Sequence, residues 1–253
     1  MTLLAVERIK LFSTRSPWWC TLLALALPIG LASIIAANSN SDFPLTVSLT
    51  QTGYTFGLIV IMVLAALAIT TEYRFGTIKS TFQAVPNRTA PLVAKAVVVT
   101  LLAGVVGEAA AFGALGISKL IKPDVALTLS SSTEWRNVAG VGLVYACGAL
   151  LALGVGMLIR QTAGAVSILL VWALLAENLV TLIPKIGVKI QAWLPFHVAD
   201  HFLNGGEPTP RGRDGGPAAV VYHLSPWGSL LYFAGVSLAV LIIGIVVTNK
   251  RDA

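Results

Sequence analysis

The chain has 253 residues, 56% of them hydrophobic and only 11% charged, with a net charge of +6 from 17 basic and 11 acidic side chains. Soluble domains carry about 25% charged residues, and a soluble protein of this size could not hide so much apolar surface, so the solvent must be a bilayer. The positive charge needs no nucleic acid once basic residues are placed against anionic lipid.

Residues 3–12 read as a short helix ahead of Pro17. Ala5, Val6, Ile9 and Phe12 share one side of it, and Glu7 and Lys10 share another, which suits a helix lying at the membrane interface. Six apolar stretches follow that are long enough to cross: 18–37, 53–70, 92–117, 134–159, 163–183 and 227–248. A span needs about 20 residues at about 1.5 Å rise each, and without water to satisfy backbone groups these stretches must be helices. The first stretch follows Arg8, Lys10 and Arg15 and resembles a secretory leader. Its apolar core is longer than the usual 7–15 residues, so it is expected to be a retained span.

Between the second and third spans lies a polar, basic insert, residues 71–91. Within it Phe75, Ile78, Phe82 and Val85 recur at steps of three, four and three, which places them on one stripe of a helix. Pro86 is expected to stop that helix, because proline lacks an N–H donor and clashes with the preceding turn. Such a helix can dock on a soluble partner or lie on the lipid surface, and periodicity does not separate the two.

Small residues repeat at intervals of four in the third span (Ala103, Gly107, Ala111) and in the fourth (Gly148, Ala152, Gly156), which predicts close helix packing. Cys20 and Cys147 lie in different spans without metal spacing and read as buried free thiols. Glu108 and Glu177 fall inside the third and fifth spans. A carboxylate at mid-membrane costs about 2.5–3.5 kcal/mol and faces protein or water, so each is a candidate pathway residue or a paired structural group.

The outer loop 184–226 contains two short helical patterns, Ile186, Ile190, Trp193 and Leu194, then Phe196, Ala199, Phe202 and Leu203 after Pro195. Residues 204–219 are rich in glycine and proline and are expected to be mobile. His197, Asp200 and His201 form H-x-x-D-H, which shares a helical face as a zinc site would require. The carboxylate is Asp, and only His223 offers a third ligand, so an amphipathic helix is the expectation and no metal is assigned.

The chain has no G-x-x-x-x-G-K-[ST] and no G-x-S-x-G, so it has no P-loop and no support for an enzyme activity of its own. Basic residues set the orientation. Arg8, Lys10, Arg15, Arg74, Lys79, Arg88, Arg160, Lys250 and Arg251 fall in the shorter set of connecting segments, and the first loop on the opposite side has none. The bias places both termini in the cytoplasm.

These residues resemble a family. The stretch TTEYRFGTIKSTFQAVPNR is similar to the E-x-R-x-G-T…P-x-x-R cytoplasmic loop of ABC-2-type transporter permeases, through Glu72, Arg74, Gly76, Thr77, Pro86 and Arg88. ERIKLFSTRSPWW near the start, LSPW at 224–227 and the basic ending NKRDA extend the resemblance over the whole chain. It implies one all-α transmembrane domain over 1–253, in the plasma (inner) membrane, with six spans, an N-terminal interfacial helix, a cytoplasmic coupling helix and short outer-face helices. It implies that Glu72, Arg74, Phe75, Gly76, Thr77, Ile78, Lys79, Phe82, Val85 and Arg88 contact a separate ATP-binding subunit. Two permease chains would pair with two such ATPases, which hold the ATP and magnesium, and the direction would be export. Two alternatives remain: a proton-coupled secondary transporter using Glu108 and Glu177, and a membrane metalloenzyme using His197 and His201.

Overall fold

In the computed structural model, residues 2–85, 87–183, 186–205 and 222–251 are described. Among them the chain is all-α, with no strand. Helix α1 (Leu3–Phe12) precedes the first long helix, α2 (Ser16–Asn38). A single turn, α3 (Val47–Thr50), leads into α4 (Tyr54–Arg74). The short α5 (Thr77–Ala84) connects to α6 (Thr89–Ile121), and α7 (Ser132–Ile159) returns. Then come α8 (Thr162–Val171), a one-turn α9 (Glu177–Leu179), α10 (Gly187–Gln191), α11 (Pro195–Asn204) and α12 (Pro226–Arg251).

Six of these segments are long and apolar enough to cross a bilayer: Ser16–Asn38, Val47–Arg74, Thr89–Ile121, Ser132–Ile159, Thr162–Leu179 and Pro226–Arg251. The protein is a polytopic membrane protein with six spans. Helix α1 and the end of α12 lie at the same end of the bundle as α5. Tyr73 Oη sits 3.0 Å from Thr248 Oγ1, Asn249 Nδ2 donates to Thr89 Oγ1 at 2.8 Å, and Lys10 in α1 reaches Glu72.

Helix α7 is the central post, packed by α4, α6 and α12. Its most apolar stretch is 72% buried, against 22% for α2 and α12 and 17% for the fifth span, where Trp172, Leu174, Leu175 and Leu179 face outward as lipid-facing side chains do. A capping box starts α7. Glu134 N donates to Ser131 Oγ at 3.1 Å, and Ser131 N donates to Glu134 Oε2 at 2.8 Å, satisfying two N–H groups that the helix cannot.

Both small-residue strips are used inside the bundle. A Cβ on Gly148 would meet Leu58 Cδ1 at 2.6 Å, and one on Gly156 would meet Ile69 Cγ2 at 2.6 Å, so that strip seats α4. Gly107 in α6 lies against Gly142 and Tyr145 of α7. Without a hydrophobic drive between spans in lipid, this close approach is what dispersion attraction requires.

Two expectations change. The fifth span is not one helix over 163–183. It breaks into a π-turn at Trp172–Ala176 and a 3₁₀ turn at Val180–Leu182 around α9. The extra residue rotates Glu177 inward, and Trp172 Nε1 donates to its Oε1 at 2.9 Å across the bulge. Helix α1 is also more than an interfacial helix, because its charged side turns into the bundle. Glu7 and Leu11 are buried while Leu4 and Ile9 are 47% and 52% exposed, because partners for the charges lie in the bundle and the other side can rest on lipid. The two short helices expected before the last span are α10 and α11. Of the glycine- and proline-rich stretch 204–219, residues from 206 onward lie outside the described set, as does Pro86.

Candidate functional site

The α5 end is built from four segments that converge. Helix α4 runs to Arg74, and Phe75 N and Gly76 N donate back to Thr71 O and Tyr73 O at 2.9 and 3.2 Å. Gly76 then adopts φ +71°, a left-handed conformation that side chains oppose, and the chain reverses into α5. The E-x-R-x-G-T pattern is therefore a helix ending with its turn. Glu72 sits in the last turn of α4, Gly76 makes the reversal, and Thr77 opens α5.

The predicted stripe does not lie on one helix face. Phe75 precedes α5 and is 71% exposed, whereas Ile78 is buried in the main core and Phe82 packs partly against it. Val85 is half-buried just after the helix. The apolar side of α5 is thus spent on its own bundle. The side turned away carries Lys79, Ser80 and Gln83, with Arg74 and Phe75 beside it. The Arg74 guanidinium lies 5.5 Å from the Phe75 ring centre, and Arg88, half-buried at the start of α6, lies 6.0 Å from the Phe82 ring.

Beneath α5 sits an ion quartet that ties α1, α4 and α6 together. Lys95 Nζ is 2.5 Å from Glu7 Oε2 and 3.0 Å from Glu72 Oε1. Lys10 Nζ is 2.8 Å from Glu7 Oε1 and 3.3 Å from Glu72 Oε1, and it donates to Thr81 Oγ1 of α5 at 3.1 Å. Glu7 and Lys95 are only 4% and 5% exposed. Burial disfavours the charged form of Lys10, but its hydrogen bond to Glu7 and the charge of Glu72 outweigh it and raise its pKa above the usual lysine value. Two ammoniums and two carboxylates leave the cluster neutral, which is what permits so much charge in a dry place. A cleft of about 490 Å³ opens beside the quartet, between α1, the start of α2, α4 and α6.

The opposite end holds the remaining predicted residues. Glu177, 2% exposed, accepts from Phe196 N at 3.1 Å, His197 N at 3.0 Å and Trp172 Nε1 at 2.9 Å. It caps α11 from another helix, satisfying first-turn N–H groups for which the N-cap residue Leu194 offers no side-chain acceptor. Asn178, the next residue, donates to Leu174 O at 3.0 Å.

Asp200 accepts from Tyr54 Oη at 3.0 Å and from Asn204 Nδ2 at 2.9 Å, and Tyr145 Oη donates to Tyr54 O at 2.8 Å. This chain of bonds fastens α11 to α4 and α7. His197 and His201 point to different neighbours, Gln191 Nε2 at 2.9 Å and Ser229 Oγ at 2.9 Å. His223 stacks on Trp193. No group of three metal-ligating side chains forms among the described residues. Burial lowers the pKa of both His197 and His201, with Arg136 adding to the effect on His201 and Asp200 opposing it at both. Glu108 lies apart from all of these, half-buried in α6 with its carboxylate against the place where Gly142 lacks a Cβ.

Models of known protein families and a search of curated proteins return no match to this chain.

Sequence reasoning missed Lys95. It stands four residues inside the third apolar stretch and was passed over as part of a span. The available signal was its position: a lysine one turn into a span needs a carboxylate, and Glu7 and Glu72 were the acidic residues nearest that level.

Proposed function

We propose that this chain is the permease subunit of an ATP-driven exporter of the ABC-2 type, working with a separate P-loop ATPase. The observation that carries the reading is helix α5. It is a short helix held firmly on the ends of α4 and α6, and it turns a polar, basic side and one exposed aromatic, Phe75, away from the bundle. A helix merely lying on lipid would turn its apolar side outward, but α5 buries Ile78 and Phe82 against its own spans. The quartet makes α5, α4, α6 and α1 one mechanical unit, so a push on α5 reaches two spans and the N-terminal helix together. With α5 facing the cytoplasm, the basic residues of that end obey the positive-inside bias.

The contact surface for the ATPase is then Arg74, Phe75, Lys79 and Gln83, with Glu72, Gly76, Thr77, Ile78, Phe82, Val85 and Arg88 shaping the turn and its support. A second permease chain completes the pathway. Glu177 serves as a helix cap, which supports the ATP-driven reading over a proton-coupled carrier.

The test is reconstitution. The chain co-expressed with the ATPase of its own gene neighbourhood should purify as a complex whose ATP hydrolysis drives transport. Phe75→Ala should weaken that association by roughly 2 kcal/mol, about thirtyfold, as loss of an aromatic anchor does. Lys79→Glu should act less, since a rim charge stays hydrated. Transport by the chain alone, driven by a proton gradient without nucleotide, would overturn the reading. Cysteines introduced at Ser41 and Asp124 should react with an impermeant thiol reagent outside whole cells, and one at Lys79 should not.

A further inference from the structure

We propose that the cleft beside the ion quartet holds one phospholipid with a primary-ammonium headgroup, its ammonium on Glu72 Oε2 and its acyl chain along Leu64, Leu67 and Val98. The inference does not depend on an ATPase partner.

The cleft has two chemically different ends. Its polar end is formed by Glu72, Lys10 and the hydroxyls that precede α2, and its other end by aliphatic side chains of α4 and α6. From Thr71 to Leu64 is seven residues of α4, about 10 Å along the helix axis. The site therefore starts at the end of the spans and runs into them for about a third of a hydrocarbon core. A volume of about 490 Å³ with mostly apolar walls and a few convergent polar groups is the ordinary form of a ligand site.

One atom sets the head chemistry. Glu72 Oε1 accepts from both Lys10 and Lys95, but no hydrogen bond reaches Oε2 among the described residues. The side chain is only 12% exposed. A carboxylate oxygen so placed calls for a donor, and a charged donor best of all. Both lysines are already shared with Glu7. An ammonium from outside would engage this fourth carboxylate oxygen, and it must bring its own negative charge, because the quartet is already neutral. A zwitterionic head meets both conditions. Its phosphate would lie toward the amino end of the 23-residue α2, where Thr14 and Ser16 line the same cleft. A quaternary headgroup cannot donate and fails the first condition.

The full-length chain, purified in mild detergent, would be titrated with phosphatidylethanolamine and with phosphatidylcholine of the same acyl chains and read by native mass spectrometry. Ethanolamine lipid should be retained about tenfold better, the discrimination expected of one charge-assisted hydrogen bond. Glu72→Gln should reduce that preference to about onefold. Ala68→Phe, which fills the apolar part of the cleft, should lose both lipids equally. Equal retention of the two lipids by the unaltered chain would overturn the proposal. So would a preference that survives Glu72→Gln, or lipid retention that survives Ala68→Phe. If Glu72→Gln fails to give a monodisperse protein, the headgroup comparison on the unaltered chain and Ala68→Phe decide the matter alone.

Discussion

The two ends of this bundle solve the same problem by different means. Each must fix a short helix across the ends of the spans. At one end α1 is held by buried ion pairs that reach α4 and α6. At the other α11 is held by an apolar face, Val198, Ala199, Phe202 and Leu203, and by one carboxylate, Glu177, on its first N–H groups. The difference lies in what happens when one group is removed. An apolar face loses contacts by degrees, whereas a buried charge left without its partner is penalised at once. The α1 end is therefore the more brittle, and it is the end that carries α5.

The largest effect should come from Lys95→Ala. It leaves Glu7 and Glu72 to share Lys10, one ammonium for two carboxylates, and breaking a buried pair costs about 3–5 kcal/mol. Thermal unfolding in detergent should show that loss, and limited proteolysis should release α1 before any span is cut. Adding Glu7→Gln to Lys95→Ala should recover part of it, because one ammonium then faces one carboxylate. A loss below about 1 kcal/mol for Lys95→Ala would mean water already reaches the quartet, and the contrast between the ends would disappear.

Glu177→Ala should cost less, about 2–3 kcal/mol, from two backbone N–H groups and an indole N–H left unpaired in a buried place. Its effect should be local. Amide hydrogen exchange at Phe196 and His197 should rise strongly while α4 and α6 keep their protection. Glu177→Gln, which retains an acceptor oxygen, should lose roughly half as much. Unchanged exchange with altered pH dependence of transport would instead return Glu177 to a pathway role.

Much of this architecture was legible from hydrophobic runs. All six spans, the short α10 and α11, and a helix in the 71–91 insert follow from apolar length and period. What was not legible depended on three-dimensional partners. Periodicity made α1 an interfacial helix, but Glu7 finds Lys95 some 88 residues away, so the charged side of the helix is buried in the bundle. The stripe through Phe75, Ile78, Phe82 and Val85 assumed one continuous helix, and the left-handed Gly76 divides it. The π-turn at Trp172–Ala176 has no period of its own, so the fifth span read as regular. Glu177 was recognised as costly in a membrane, but its partners are backbone groups of a helix about twenty residues on, which no composition reveals.

Helix α5 allows a sharper comparison within one end. Ile78→Ala removes a buried side chain and should cost about 2 kcal/mol of stability, the low end for a core truncation. Phe75→Ala should leave thermal stability within about 0.5 kcal/mol, since that ring is exposed. The two variants therefore separate support from contact. If both lower stability equally, Phe75 is packed against something in the membrane-embedded protein and is no longer available to a partner.

The smallest effect is a pH dependence confined to α11. Burial lowers the pKa of His197 and His201 below the ordinary value of 6.5, so the folded state prefers both rings neutral. The geometry agrees for His197. Gln191 Nε2 can only donate, so the His197 Nε2 that it meets must carry no proton. A depressed folded pKa gives stability that is complete above about pH 6.5 and is lost as the pH falls through the lower folded value, because the unfolded segment binds the proton more tightly. Asp200 moderates the loss by favouring the charged rings, while Arg136 aggravates it at His201. Both rings are partly solvated, so each should contribute on the order of a few tenths of a kcal/mol. Exchange of α11 amides should quicken between pH 7 and pH 5 by a factor of two to three beyond the intrinsic change, while α1 and α5 show no such step. His197→Gln with His201→Gln should remove the step. If acidification instead loosens α1 and leaves α11 unchanged, the pH-sensitive contacts lie in the quartet, and the account of which end responds to protons must be reversed.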